Sequence, residues 1–223
     1  MTALRTAILA AADAIEAARE PLCELDARTG DGDHGVTMTI AARSVRGKLG
    51  AVTGADAAGI VRAAAMGMAS VGGAIGPIYA GGLLAIAREL EARRGLAPGS
   101  GPDEPLATIA ACAGAALQAV TGLGHAKVGD KTVVDALAPV VDELQRASSA
   151  GRSVRDALEA ARAAARRGAD STVEMVATIG RSSRFGEASR GTADPGASSF
   201  ALLVDVLVAN ALRDIESASD EVR

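Results

Sequence analysis

The sequence predicts an all-α fold, a single domain of about eight antiparallel helices. Three observations carry this expectation. Alanine, the best helix former, supplies 52 of the 223 residues. Aromatic residues, which strands favour together with β-branched ones, make up 1%: Tyr79, Phe185 and Phe200, with no Trp. Apolar residues recur at helical spacing in segments separated by Gly-rich turns.

The first helix is expected over Thr2–Leu25. Leu4, Ile8, Ala11, Ile15, Ala18 and Leu22 share one face, and Pro21 is placed to kink or shorten it. A second helix is expected over Val36–Leu49, before Gly50. Asp56 is placed to cap a third that reaches Met68. The Gly72–Gly76 cluster precedes a fourth, Ile78–Arg94. Ala97–Pro105, rich in Pro and Gly, is the loosest segment but too short to define a boundary, so 1–223 reads as one domain. A fifth helix follows over Leu106–Val120 and a sixth over Thr132–Arg146. Ser153 starts a seventh, Val154–Arg167, with an extension toward Met175. After a long loop, Ile179–Ala197, the eighth is Ser198–Ile215.

Composition excludes several functions. A formal net charge of −4 and the lack of stacking aromatics argue against nucleic-acid binding. Cys23 and Cys112 form no Cys-x-x-Cys pair and read as free thiols in a reducing compartment. Neither a leader nor a membrane span is expected, which makes the cytoplasm the default location.

The unusual residues lie in four loops. In an up-and-down arrangement Asp26–Gly35, Gly72–Gly76, Gly122–Lys131 and Ile179–Ala197 all fall at one end. Loops held by a rigid scaffold are where sites are built.

The turn Asp26-Ala-Arg-Thr-Gly-Asp31-Gly-Asp33-His34-Gly35 places three carboxylates within eight residues, with glycines that let it fold inward. Such carboxylates repel unless a cation sits among them. Oxygen-only ligands suit Mg²⁺; the pattern fits neither an EF-hand nor a zinc site. A polar turn with Asp caps is the alternative. Gly124–Thr132 imitates a P-loop but fails, because Asp130 is inserted before Lys131 and no strand precedes it. Asp130 reads equally as an N-cap or a functional group, and His125 as a surface residue. Ser70–Gly76 presents backbone amides near a helix start, suited to a phosphate or to a close helix crossing. Asp194 with Pro195 fits the start of the last helix, and Arg181 is a phosphate clamp or a surface charge.

Together these loops resemble one family, the L subunit, or C-terminal nucleotide-binding domain, of dihydroxyacetone kinases. The matching segments are Leu25-Asp26…Gly30-Asp31-Gly32-Asp33-His34-Gly35, Val71-Gly72-Gly73…Gly76-Pro77-Ile78-Tyr79, Gly129-Asp130-Lys131-Thr132…Asp135-Ala136-Leu137-Ala138-Pro139, and Gly180-Arg181-Ser182-Ser183…Gly186-Glu187…Gly191…Asp194-Pro195-Gly196-Ala197-Ser198. Four motifs in family order are far more specific than one.

The resemblance implies a closed antiparallel eight-helix barrel holding ADP or ATP and two Mg²⁺ at one end. It implies Asp26, Asp31 and Asp33 as metal ligands. Nucleotide contacts carry over to His34, Gly35, Val36 and Thr37, to Ala74 and Ile75, to Gly124 and Val133, to Arg181, and to Asp194, Pro195 and Gly196. The three Asp and Arg181 would carry the phosphoryl-transfer chemistry. The ketose, dihydroxyacetone first of all, would sit on a separate K subunit acting in trans. The phosphoryl donor would be free ATP or a phosphohistidine protein of the phosphotransferase system. Departures from the family pattern are Ile75 for a usual Ser, Arg184-Phe185 for a Tyr-containing pair, and Thr192 for a usual His. A second reading is an ADP-loaded regulatory subunit that binds a transcription regulator. A third, an apolar-ligand carrier, gives the triple-Asp turn no role.

Overall fold

The first expected helix is broken by its own proline. α1 spans Ala3–Ala17 and α2 Arg19–Asp26, with Ala18 as a turn between them. Pro21 lacks an N–H, and its ring collides with the carbonyl four residues back. That carbonyl belongs to Ala17, where α1 stops. There follow α3 (His34–Gly50), α4 (Ala57–Met68), α5 (Ile75–Arg94), α6 (Glu104–Gly124), α7 (Val133–Ser149), α8 (Val154–Ser171) and α9 (Pro195–Glu221). The computed structural model describes residues 3–94 and 104–221. The loose segment expected at 97–105 lies outside these, apart from its last two residues, which begin α6. Among the described residues there is no strand.

Each helix packs on the next, α1 and α2 pack on α3, and α9 returns to pack on α1. With α1 and α2 taken as one bent rod, eight rods close a ring. Small residues make the walls tight. Ala136, Ala157, Ala165 and Ala197 are fully buried between α6, α7, α8 and α9. A Cβ on Gly168 of α8 would fall 2.4 Å from the Asp135 carbonyl oxygen of α7. One on Gly67 of α4 would fall 2.5 Å from the Val45 Cα of α3. These backbones touch because no side chain stands between them. Larger apolar residues, among them Ile15, Met38, Leu49, Ile60 and Met68, fill the other half of the ring. An apolar cavity of about 130 Å³, lined by Ile8, Met38, Met68, Leu83 and Leu207, remains there.

Two expected caps are in place. The Asp56 carboxylate accepts from Gly59 N–H at 2.8 Å, and Ser153 Oγ accepts from Asp156 N–H at 3.1 Å. Asp130 is not a cap. Thr132 caps α7 in a reciprocal box with Asp135, and Asp130 lies two residues too early. α6 continues to Gly124, so Gly124 ends a helix rather than opening a loop. α8 stops at Ser171 and gives way to a 3-10 turn, Thr172–Glu174. The long loop holds a 3-10 stretch, Arg181–Ser189, broken at Gly186 (φ 50°, ψ −129°). α9 begins at Pro195 because Asp194 caps it and Pro suits the first helical position.

Composition alone does not exclude a membrane span. Pro105–Gly124 is an uncharged run of 20 residues, and it and Pro195–Ser219 are long and apolar enough to cross a membrane. Here both lie within walls of the ring, α6 between α5 and α7 and α9 between α8 and α1.

Candidate active site

The four turns meet at one end of the ring around a cavity of about 990 Å³. Of the expected residues, Asp26, Asp33, His34 and Thr37 line one side. Ala74, Ile75, Gly124 and Val133 line the floor and far wall, and Arg181, Asp194, Pro195 and Gly196 close the remainder. Asp31 is not in the lining but stands beside Arg181. Gly35 and Val36 do not line it. Gly35 serves packing instead. A Cβ there would fall 1.9 Å from the Arg19 carbonyl oxygen, so α3 lies directly on α2.

Asp26 ends α2 and is 4% exposed. Its Oδ2 accepts from the N–H groups of Asp33 (3.0 Å) and His34 (3.2 Å). Those bonds fold the turn back on itself. Gly30 makes room, since a Cβ there would fall 2.2 Å from Asp26 Oδ1. Oxygens of Asp26, Asp31 and Asp33 then lie within 4.8 Å of one another. Arg181 donates to Asp31 and, at 3.2 Å, to Asp33. Loss of solvent pushes the Asp31 carboxyl up, but the Arg181 charge and hydrogen bonds within the turn outweigh it and hold it below the usual range. Three hard oxygen donors cleared by a glycine fit a Mg²⁺ ion.

His34 opens α3, and its Nε2 lies 3.0 Å from Ser199 Oγ. Burial pushes its pKa down against the pull of Asp26 and Asp33, which leaves a neutral imidazole near pH 7. Across the cavity, Gly72 and Gly73 precede α5. A Cβ on either would meet nothing within 4 Å, and Gly73 is left-handed at φ 71°. Close packing applies to Gly76 alone of the three, whose Cβ would fall 2.2 Å from the Val71 carbonyl oxygen of the turn before α5. Asp194 Oδ2 accepts from Ala197 N–H at 2.7 Å. Burial pushes its pKa up to about 7 despite that bond and the nearby Lys131.

Sequence reasoning did not count Lys131, Tyr79 or Arg184 among the site residues, yet all three line the cavity. Lys131 is 2% exposed, and its Nζ donates to the carbonyl oxygens of Thr172 and Thr192. Burial lowers its pKa, opposed by the charges of Asp194 and Asp135. The Asp-Lys-Thr triplet before α7 was its only signal. The Tyr79 hydroxyl is buried beside Ser199, and burial raises its pKa to about 12.

Residues 28–209 match the family model described as the DAK2 domain, and the chain belongs to that family as an L-type phosphotransferase subunit of the dihydroxyacetone kinases. It is 36% identical over 189 residues to the ADP-binding subunit DhaL of the PEP-dependent dihydroxyacetone kinase of Escherichia coli, covering 84% of this chain and 86% of that one. It is 33% identical over 199 residues to the ADP-binding subunit DhaL of PEP-dependent dihydroxyacetone kinase 2 of Listeria innocua, covering 88% of each. An L-erythrulose 1-kinase of Mycolicibacterium smegmatis is 38% identical over 192 residues; these cover 83% of this chain and 31% of that longer protein. Among solved structures, the native dihydroxyacetone kinase of C. freundii superposes with a TM-score of 0.64 at 24% identity, covering 92% of this chain and 34% of that one.

Proposed function

We propose that residues 1–223 act as a single nucleotide-binding domain, the ADP- or ATP-binding subunit of a two-component kinase. It transfers a phosphoryl group to a hydroxyl of a short-chain ketose, dihydroxyacetone first, held on a separate K subunit. One observation carries this: the acidic turn, through Asp26 and Asp33, a guanidinium and an open glycine turn converge on a cavity large enough for a nucleotide. Asp26, Asp31 and Asp33 are the residues to hold Mg²⁺, two ions in all. When bound, Mg²⁺ neutralises and bridges phosphate oxygens.

This chain's own residues do the positioning. Gly72, Gly73, Ala74 and Ile75 offer amides at the N-terminus of α5, where the helix dipole favours anions. Ile78, Val120 and Val133 give an apolar wall for a base. Gly124, at the end of α6, leaves that wall low. His34 and Thr37 stand over the acidic turn, with Gly35 and Val36 completing the first turn of α3. Asp194, Pro195 and Gly196 close the opposite rim. Arg181 is the cation to follow charge onto the transferring group. No general base is assigned to this chain; the acceptor hydroxyl meets its base on the K subunit.

The names of the PEP-dependent relatives support a phosphohistidine protein of the phosphotransferase system as donor, with free ATP as the other source. The cytoplasm, where such partners reside, is the location proposed.

Calorimetry tests the reading. ADP with Mg²⁺ is expected to bind the wild type, and Asp31→Asn or Asp33→Asn to abolish Mg²⁺-dependent binding with helical content intact. Unchanged affinity in both variants removes the triad from the mechanism. Turnover only after adding a ketose-binding K subunit supports the division of labour; phosphorylation of a ketose by this chain alone overturns it.

A further inference from the structure

The segment that carries Arg181 leaves the ring after α8 and returns at α9. Its two limbs are tied to each other. Gly191 N–H donates to the Val173 carbonyl at 2.8 Å, Ala177 N–H to Ser189 Oγ at 2.9 Å, and Asp194 N–H to Thr172 Oγ1 at 2.8 Å. These bonds shape the segment but do not locate it on the ring. Arg181 pairs with Asp31 and Asp33 at the far end, and two consecutive residues just before α7 hold the segment at its base. Asp130 Oδ1 accepts from Thr178 Oγ1 at 2.6 Å, and the Asp130 carbonyl accepts from Thr178 N–H at 3.3 Å. Lys131 Nζ reaches the Thr172 and Thr192 carbonyls, one on each limb.

Lys131 is costly where it stands. An ammonium at 2% exposure is unfavourable unless fully partnered. The Lys131 backbone is left-handed at φ 62°, a region that side chains disfavour. Neither feature is needed to start α7, because Thr132 and Asp135 supply its cap. Strain that local structure does not require points to a role elsewhere in the fold. The Lys131 amine grips only the Arg181 segment among the described residues, while the Asp130 carboxylate divides between that segment and the Lys127 N–H of its own turn, 2.8 Å away.

We infer that Asp130 and Lys131 are positioning residues that mount the Arg181 segment on the ring and so set where its guanidinium stands over the Asp26–Asp31–Asp33 cluster. The role of Arg181 toward nucleotide rests on the proposed function; the mounting is a property of the nucleotide-free chain.

Two measurements test this. The first is hydrogen exchange on the full nucleotide-free chain. Asp130→Ala and Lys131→Met are each expected to speed exchange across 177–191 while α4 and α5 stay protected. Lys131→Gly relieves the left-handed backbone but deletes the amine, and is expected to show the same loss. Asp130→Asn keeps an acceptor for Thr178 and is expected to restore most of the protection. Unchanged exchange in 177–191 for Asp130→Ala and both Lys131 variants overturns the mounting. The second is the dissociation rate of ADP with Mg²⁺ in a double-mutant cycle. Lys131→Met is expected to speed release on the order of tenfold alone, and less than about twofold in an Arg181→Ala background. A full effect in that background means that Lys131 meets the nucleotide directly and overturns action through Arg181. If the wild type does not bind ADP with Mg²⁺, the proposed function fails, while the exchange result still decides the mounting.

Discussion

Two glycines in the walls of the ring and two at its open end do opposite work. Gly67 and Gly168 are jammed against neighbouring backbones; Gly72 and Gly73 face nothing. In the walls, glycine and alanine remove side chains so that helices touch and dispersion contacts multiply. At the open end, glycine exposes amides and permits turns that other residues avoid. The same composition thus builds a rigid frame and a polar mouth. Stability should belong to the frame and ligand chemistry to the mouth.

The largest expected effect tests the frame. Gly168→Val should destabilise by about 3 kcal/mol, since it forces α7 and α8 apart. Gly72→Ala should change stability by less than about 0.5 kcal/mol while weakening nucleotide binding. Urea denaturation and calorimetry on the pair decide this; equal stability losses would erase the distinction.

Next comes linkage at the mouth. ADP with Mg²⁺ should raise stability by about 2.7 kcal/mol at a hundred times its Kd, and far less with ADP and a chelator. Thermal melts in the two conditions show whether carboxylates and phosphates need a bridging cation.

A third effect concerns a charge that the dry walls would not tolerate. Asp194 has its pKa raised from 3.8 to about 7 by burial. An acid with a raised folded pKa holds more protons folded than unfolded in that window. Stability therefore falls as pH rises from 3.8 to about 7, then levels off. The full shift implies ~4 kcal/mol; water reaching the cavity reduces this to about 2 kcal/mol. Asp194→Asn keeps an acceptor for the Ala197 amide, so its stability should gain on the wild type across that window. Denaturation at several pH values checks the sign; a constant difference would show Asp194 ionised throughout.

The smallest effect separates two arginines of the mouth. Arg181→Lys, which loses the planar fork, should speed nucleotide release on the order of tenfold, about 1.4 kcal/mol. Arg184→Lys lines the same cavity but grips no carboxylate among the described residues, and should do less. Rates of release from the two variants compare them directly.

Much of this molecule could be read along the chain, because local rules govern it. Helical spacing located the rods, and Asp56, Ser153 and the Asp194–Pro195 pair cap helices as their types demand. Pro21 broke the first rod where its ring geometry requires. Alternation of turns in an up-and-down chain put all four unusual loops at one end. The acidic turn was legible because its bonds span only seven or eight residues.

The remainder depended on closure of the ring. Asp130 read equally as a cap or a functional group; it closes a local turn at Lys127 and reaches Thr178, 48 residues away. Lys131 had no role along the chain; ring closure brought the Thr172 and Thr192 carbonyls over its amine, 41 and 61 residues on. Gly35 belonged to a suspected binding motif, but the kink at Ala18 lays α2 against it. An uncharged α6 could not be told from a membrane span by composition, because burial against helices and burial in lipid select the same residues. Local chemistry chose the helices, caps and acidic turn; which distant groups neutralise, grip or exclude one another was decided when the ends of the chain met.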